Sequence, residues 1–256
     1  MKVSGEKDIE VLKELGERHA IVLKGLVEAI RPGITTSSLD ELATRLIKEQ
    51  GGTPAFKGYK PLGAPRPFPC SLCVAPNDTV VHGIPTELEY TLQEGDIVGL
   101  DVGIEKDGYI IDAGKTVAVG NVDKKAKKLL QVTYEALMRG VAQARTGNRV
   151  GDIGHAIESY VKREGYAVVR ELCGHGVGHS LHEEPQVPNF GARGTGRMLE
   201  EGMVIAIEPM VNEGGAAVFF VDDGYTVKTA DGSRSAHFEH NVIITRDDPI
   251  ILTHLT

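Results

Sequence analysis

The sequence predicts an α+β fold built from two similar halves, and three observations carry that prediction. Helical and strand-like patterns follow one another without the strict strand–helix–strand alternation of a parallel sheet. Two apolar runs flank Asp107-Gly108, the signature of a hairpin. The string Leu92-Gln-Glu-Gly-Asp-Ile-Val-Gly-Leu-Asp101 aligns without a gap on Leu199-Glu-Glu-Gly-Met-Val-Ile-Ala-Ile-Glu208.

Leu12, Leu15, His19, Val22, Leu23, Leu26 and Ile30 recur at helical spacing, so residues 9–30 read as an amphipathic helix with His19 packed at its apolar side. Arg31-Pro32-Gly33 stops it, because proline cannot continue the hydrogen-bond ladder and glycine tolerates the turn. Ser38-Leu39-Asp40-Glu41 reads as a capping box for a second helix ending at Gly51. Residues 52–72 hold Pro61, Pro65, Pro67 and Pro69 and form a long, stiff loop, a type that tends to carry function. The apolar runs 97–104 and 110–119 make the hairpin. Helices are expected over about 123–145 and 150–164, then strand-like runs at 166–172, 203–211, 216–221, 225–229 and 238–245.

Further matches follow the same order in both halves. Arg31-Pro-Gly33 parallels Arg145-Thr-Gly147, His82-Gly-Ile-Pro85 parallels His182-Glu-Glu-Pro185, and Asp107-Gly-Tyr109 parallels Asp223-Gly-Tyr225. One short match would be chance. Several in one order imply a duplicated half-domain packed about a pseudo-twofold axis, within a single domain, 1–256, whose halves span about 9–122 and 123–250. Such an axis brings paired residues to one central site.

Composition narrows the function. Hydrophobic residues make up 41% of the 256, aromatics only 5% with no Trp, so the core is aliphatic. The net charge of -8 argues against DNA or any nucleic acid as the main partner. Lys124, Lys125, Lys127 and Lys128 form the one basic run, whose plain reading is a solvated helix face and whose alternative is contact with an anionic partner. Three cysteines exclude a disulfide framework, and Cys70-x-x-Cys73 lacks the second pair a zinc knuckle needs. The first residues do not read as a signal peptide and no apolar run is long enough to span a membrane, so a cytoplasmic protein is expected.

The chemistry lies in Asp101, Asp112, Glu208 and Glu239. Any one of them alone reads as a solvated loop acid. Yet each follows or interrupts an apolar strand run, a costly place for an unpaired charge. Four converging carboxylates repel one another unless protons or cations intervene, and two divalent cations would balance them. His175 adds a nitrogen donor. An oxygen-rich set with few nitrogens suits Mn, Fe or Co, with Zn or Ni as further candidates. Two such ions lower the pKa of a shared water and clamp a tetrahedral state; aminopeptidases are an established example. His182-Glu183 begins like a zincin helix, but Gln186 stands where its second histidine would be. Gly174-His-Gly-Val-Gly178 lacks the spacing of a dinucleotide loop; its glycines would let the backbone close around a liganding His175.

At these residues the chain resembles the methionine aminopeptidases, type 1, of metallopeptidase family M24. The resemblance rests on Glu171-Leu-Cys-Gly-His175-Gly-Val-Gly-His179-Ser-Leu-His182-Glu-Glu-Pro185 and Val81-His82-Gly-Ile-Pro85. It rests also on Asp101 with Asp112, Ile207-Glu208-Pro209-Met210 and His237-Phe-Glu239-His240. It covers about residues 9 to 250. It implies the pita-bread fold around a central antiparallel sheet, and a monomer that removes the initiator methionine from nascent chains by attack of a metal-activated hydroxide. It implies that Asp101 chelates one metal, that His175 and Glu208 bind the other, and that Asp112 and Glu239 bridge both. It gives His82 and His182 the stabilisation of the scissile peptide and makes Glu208 a proton shuttle. The short interval from Glu208 to Glu239 and the absence of an N-terminal zinc finger resemble the bacterial type 1 form. The ribosome is the candidate anionic partner for the lysine run. Tyr59, Phe68, Cys73, Leu181 and Tyr225 are the candidates for the methionine pocket, with Leu181 and Tyr225 standing where the family often has Phe and Trp. Two alternatives share the fold: an Xaa-Pro aminopeptidase or prolidase, whose large N-terminal domain is missing here, and a binding protein that has lost catalysis, which would have lost ligands.

Overall fold

The computed structural model describes residues 1–253; the last three residues of the expected domain, 254–256, lie outside them. Two helices come first, α1 (Glu6–Ala29) and α2 (Thr36–Glu49). The second starts earlier than its apparent capping box. Thr35, with extended backbone, is the N-cap, and its side-chain oxygen accepts the Ser38 N–H at 3.2 Å. Ser38 is therefore a helical residue of the first turn, and the expected cap is corrected by three positions.

Short β1 (Thr53–Pro54) leads into the proline-rich loop, which ends at β2 (Leu72–Pro76), followed by β3 (Thr79–Val81) and the single-turn α3 (Pro85–Leu88). The buried Asp40 carboxylate of α2 accepts the backbone N–H groups of Ser71 and Leu72 at 2.7 and 3.1 Å, which fixes where β2 begins. The expected hairpin is β4 (Ile97–Lys106) with β5 (Tyr109–Ala118), paired in continuous register from Ile97–Ala118 to Lys106–Tyr109. Asp107 and Gly108 both have positive φ, 53° and 82°, the two-residue turn whose twist matches the strands.

The second helix pair is α4 (Lys124–Val141) and α5 (Val150–Arg163). Asp123 caps α4 by accepting the Ala126 N–H at 2.7 Å, and the lysine run lies exposed on its first turns. Shorter strands follow: β6 (Ala167–Val168), β7 (Cys173–Gly176), β8 (Glu183–Pro188), β9 (Val204–Ile207), β10 (Met210–Asn212), β11 (Val218–Phe220), β12 (Val227–Thr229), β13 (Ser235–His237), β14 (His240–Ile243) and β15 (Ile250–Ile251), of which β7, β8, β13 and β15 lie outside the expected runs.

Among the described residues all strand pairs are antiparallel and fall into four sheets. The two largest carry the site: one has β5, β4 and β2 with β1 at its end, the other runs β15-β14-β9-β7-β8. They meet where Lys115 of β5 bridges to Phe238 and where β5 touches β14. Helices α1 and α2 pack on the first sheet and α5 on the second, while α4 lies chiefly against β10 and β13 and also reaches β9 and β14 of the second. The aliphatic core divides accordingly, with Leu12, Leu23, Leu26 and Leu100 in one cluster and Leu129, Leu137, Ile157 and Ile207 in another. Each fully buried side chain of this size contributes about 2 kcal/mol. His19 is fully buried in the first cluster's helix, with Nε2 at 2.8 Å from the Val102 carbonyl.

Candidate metal centre

Strand alternation puts residues two apart on one face. Asp101 on β4 pairs with Gly114 on β5, and Asp112 lies two residues from Gly114, so both carboxylates project from the same face of the hairpin. Glycine at 114 is needed: a Cβ there would stand 2.7 Å from the His237 ring. Asp112 opposes another glycine, Gly103. Two bonds join this hairpin to the opposite sheet, Asp112 N–H to Asn241 Oδ1 and Glu239 N–H to the Gly114 carbonyl, both 2.9 Å. They draw Glu239 to the aspartates. Glu208 follows β9, and His175 sits on β7 beside it.

The donor atoms of Asp112, His175 and Glu239 lie within 4.8 Å of one another. His175 Nε2 is 3.4 Å from Glu208 Oε1 and 3.8 Å from Asp112 Oδ2. Its Nδ1 faces the Gly176 carbonyl at 3.0 Å; as the donor there it leaves the Nε2 lone pair free for a cation. Asp101 Oδ1, Asp112 Oδ1 and Glu239 Oε1 are buried without a hydrogen-bond partner. Buried orphan oxygens are costly, and a divalent cation is the group that satisfies several at once. In its absence burial, reinforced by their mutual repulsion, pushes the carboxyls of Asp101, Glu208 and Glu239 well above the carboxylate range, while burial brings Asp112 up to about 6. The donor set therefore fits divalent cations.

Two histidines flank the carboxylates. His82 follows β3 with a left-handed φ of 57°, and the adjoining Gly83 lets that turn approach β2, since a Cβ there would stand 2.1 Å from the Val74 carbonyl oxygen. His182 precedes β8; its Nδ1 lies 3.1 Å from the Tyr59 hydroxyl and its ring packs edge-on to His175 at 4.4 Å. The turn before it is fastened by Glu183, whose Oε1 accepts the N–H groups of His179 and Ser180 at 2.8 Å each, and which also pairs with the Met1 amino group. Burial brings His82, His175 and His182 down to about 4, so all three are neutral at pH 7.

All these groups border one cleft of about 640 Å³. The five pocket candidates, Tyr59, Phe68, Cys73, Leu181 and Tyr225, line it too, so the structure brings together every site residue expected from sequence. Phe56 and Met210 also line it and were not anticipated. His237 was passed over as well. Its Nε2 is buried, lacks a hydrogen-bond partner and lies 3.7 Å from Glu208 Oε2, and burial lowers it to about 3. Its signal was its place two residues before Glu239. Cys70, by contrast, is buried outside the cleft lining, with its Sγ 3.3 Å from the Thr86 hydroxyl.

A sequence model of metallopeptidase family M24 matches residues 10–246. A methionine aminopeptidase of Clostridium perfringens is 44% identical over 98% of both chains. The crystal structure of methionine aminopeptidase from Rickettsia prowazekii superposes with a TM-score of 0.94 at 40% identity, covering 99% of this chain and 100% of that one. An Xaa-Pro dipeptidase from Bacillus anthracis shares the fold at a TM-score of 0.77, but at 23% identity, with 99% of this chain matching 62% of that one. The chain belongs to metallopeptidase family M24, a class of metal-dependent peptidases with the pita-bread fold. Within that class it groups with the methionine aminopeptidases.

Proposed function

We propose that the chain removes the N-terminal methionine of nascent proteins, and that Asp101, Asp112, His175, Glu208 and Glu239 hold two divalent cations for that purpose. The observation that carries the reading is the burial of orphan carboxylate oxygens from two sheets in one cleft that also presents neutral histidines. In this reading Asp112 and Glu239 would serve both cations, Asp101 one of them, and His175 with Glu208 the other. Mn, Fe or Co suits the oxygen-rich set, with Zn or Ni also compatible. Bound there, the cations supply a lowered pKa for water and a counter-charge for a developing oxyanion.

The protein's own groups do the rest. His82 and His182, held neutral by burial, donate N–H to the carbonyl oxygen of the first peptide bond as charge develops on it. With the Tyr59 hydroxyl donating to Nδ1 of His182, Nε2 carries the proton that faces the substrate. Glu208 accepts the proton of the attacking water and passes it to the departing amine. Tyr59, Phe68, Cys73, Leu181 and Tyr225 receive the methionine side chain and keep bulk water from the reacting bond. The chain acts as one catalytic unit, with halves of about 9–122 and 123–250. Its proposed setting is the cytoplasm, as a monomer meeting new chains at the ribosome. Among the described residues no helix is long and apolar enough to cross a membrane.

The test is a peptide panel with metal analysis. Protein reconstituted with Mn, Fe or Co is expected to cleave Met-Ala-Ser and to leave Ala-Pro-Ala intact. The opposite preference would move the chain to the proline-specific peptidases. No cleavage with any of these metals would make it a binding protein.

A further inference from the structure

The proline-rich loop places an apolar side chain where solvent would ordinarily forbid one. Pro61-Leu62-Gly63-Ala64 is a tight turn, closed by the Ala64 N–H to the Pro61 carbonyl at 3.1 Å, with Gly63 at φ 87° supplying the left-handed third position. Leu62 stands at the tip and is fully exposed, at 108% of its reference area. It is not free to wander. The neck of the loop is closed by reciprocal backbone bonds, Gly58 N–H to Phe68 O and Phe68 N–H to Tyr59 O, both 2.8 Å. Arg66 grips the Glu87 carboxylate with two nitrogens at 2.8 and 2.6 Å and also reaches the Asp223 carbonyl. The Tyr225 hydroxyl donates to the Arg66 carbonyl at 2.5 Å, and Pro65 lies so close over Gly224 that a Cβ there would stand 2.4 Å from it.

Phe220 on β11 is exposed as well, at 57%. Leu62 and Phe220 both line the cleft that holds the candidate ligands, so these exposed side chains form its mouth. Their neighbour Phe219 is 48% exposed but lies outside the cleft, as strand alternation requires. A rigid apolar lip continuous with a substrate cleft loses little entropy when it binds, and what leaves the cleft during peptide cleavage is the chain beyond the scissile bond.

We infer that Leu62 and Phe220 form a subsite at the mouth of the cleft that selects substrates with apolar side chains downstream of the first peptide bond. The inference rests on the proposed peptidase activity. It adds a preference, set by this chain's own loop, for residues such as Leu or Phe at the third and fourth positions of the substrate. A lip with one side open to water captures part of the burial of such a side chain, worth a factor of roughly five to ten in kcat/KM.

The experiment compares Met-Ala-Leu-Leu with Met-Ala-Asp-Asp and Met-Ala-Ser-Ser, using the metal-reconstituted full chain. The wild type is expected to favour the leucine peptide over both others, and Leu62→Ser and Phe220→Ser to bring the three rates together. Phe219→Ser, equally exposed on the same strand, is expected to keep the wild-type preference. Circular dichroism checks that each variant is folded, and the wild-type panel decides by itself whether a preference exists. Equal rates for the three peptides with the wild type would overturn the inference while leaving methionine removal standing. No cleavage of any of them would instead remove the proposed function beneath it. A preference that survives both cleft-facing substitutions would also overturn it. So would concentration-dependent self-association, read by sedimentation, that Phe220→Ser abolishes with no peptide preference present, because the lip would then belong to a second copy of the chain.

Discussion

His19 is held neutral by burial, at about 4, and offers one ring nitrogen to the Val102 carbonyl while Nδ1 has no partner. An unfolded histidine titrates near 6.5. Between those values the unfolded chain binds the proton and the folded chain does not, so stability falls as pH drops through this window, by roughly 3 kcal/mol in full. His19→Gln keeps a donor for Val102 and cannot charge. Urea unfolding at pH 7 and pH 4.5 should show the variant gaining on the wild type at the lower pH; parallel losses would refute the assignment. At the metal centre, Asp112→Ala is expected to abolish turnover and lower bound metal by elemental analysis, since the residue serves both cations in the proposed reading. Full turnover in that variant would sink a paired-cation mechanism. His182→Ala should slow cleavage and leave metal content intact. The carboxylates were legible in sequence because a charge inside or just after an apolar run demands an explanation. His237 carried a weaker signal. Only its place two residues before Glu239, at the end of β13, marks it.

Among the elements, the Asp107-Gly108 turn marked the β4–β5 hairpin, although its strands are largely buried on both faces. Periodicity placed the four long helices, each of which keeps one wet face. It failed for β7, whose Cys-Gly-His-Gly reads as a loop. Those glycines are there because the neighbouring strands press against the backbone: a Cβ at Gly174 would lie 2.3 Å from the Ala206 carbonyl oxygen, and one at Gly176 equally close to that of Glu184. Buried β2 was hidden for another reason. It has no alternation, being covered on both faces, and it adjoins the proline-rich loop. The misplaced cap of α2 shows how a correct motif can sit in the wrong frame, since Ser38 is itself bonded to the Thr35 hydroxyl at 2.8 Å. Thr35→Ala should cost about 1 kcal/mol in urea unfolding, the usual loss of a threonine cap. Ser38→Ala should cost less; the reverse order would restore Ser38 as the cap.

For the molecule as a whole, the seam between the two large sheets runs through the candidate ligands, at Asp112–Asn241 and Glu239–Gly114. Cations bound there would join the sheets, so their binding energy is also stability. Protons compete for the same oxygens. Asp112 is raised to about 6 in the folded chain from an ordinary 3.8, so without metal its contribution is present at low pH and lost as pH rises through 6. Above that pH a cation replaces the proton. The gain in melting temperature from added Mn should therefore be small at pH 5 and grow towards pH 7.5. At a hundredfold excess over the dissociation constant each bound cation should add about 2.7 kcal/mol of stability. Melting curves with and without chelator at each pH measure it; a metal effect independent of pH would contradict the competition. The burial and orphan oxygens behind this expectation arise only when distant segments meet, which is why sequence named candidate ligands but not their coupling to the fold.

The hairpin that carries Asp101 and Asp112 imposes a rule of parity. With a two-residue turn, Asp107-Gly108, and a ladder free of bulges, a side chain on β4 and one on the same face of β5 are always an odd number of positions apart in the chain. Eleven positions separate the two aspartates, an odd number. A single inserted or deleted residue in either strand would make the count even and send one carboxylate out of the cleft into the packing under α1, whereas a change of two would keep both aimed inward. Chain length here is thus a discrete selection rule: drift in spacing is filtered by odd and even before the chemistry of any substituted side chain matters.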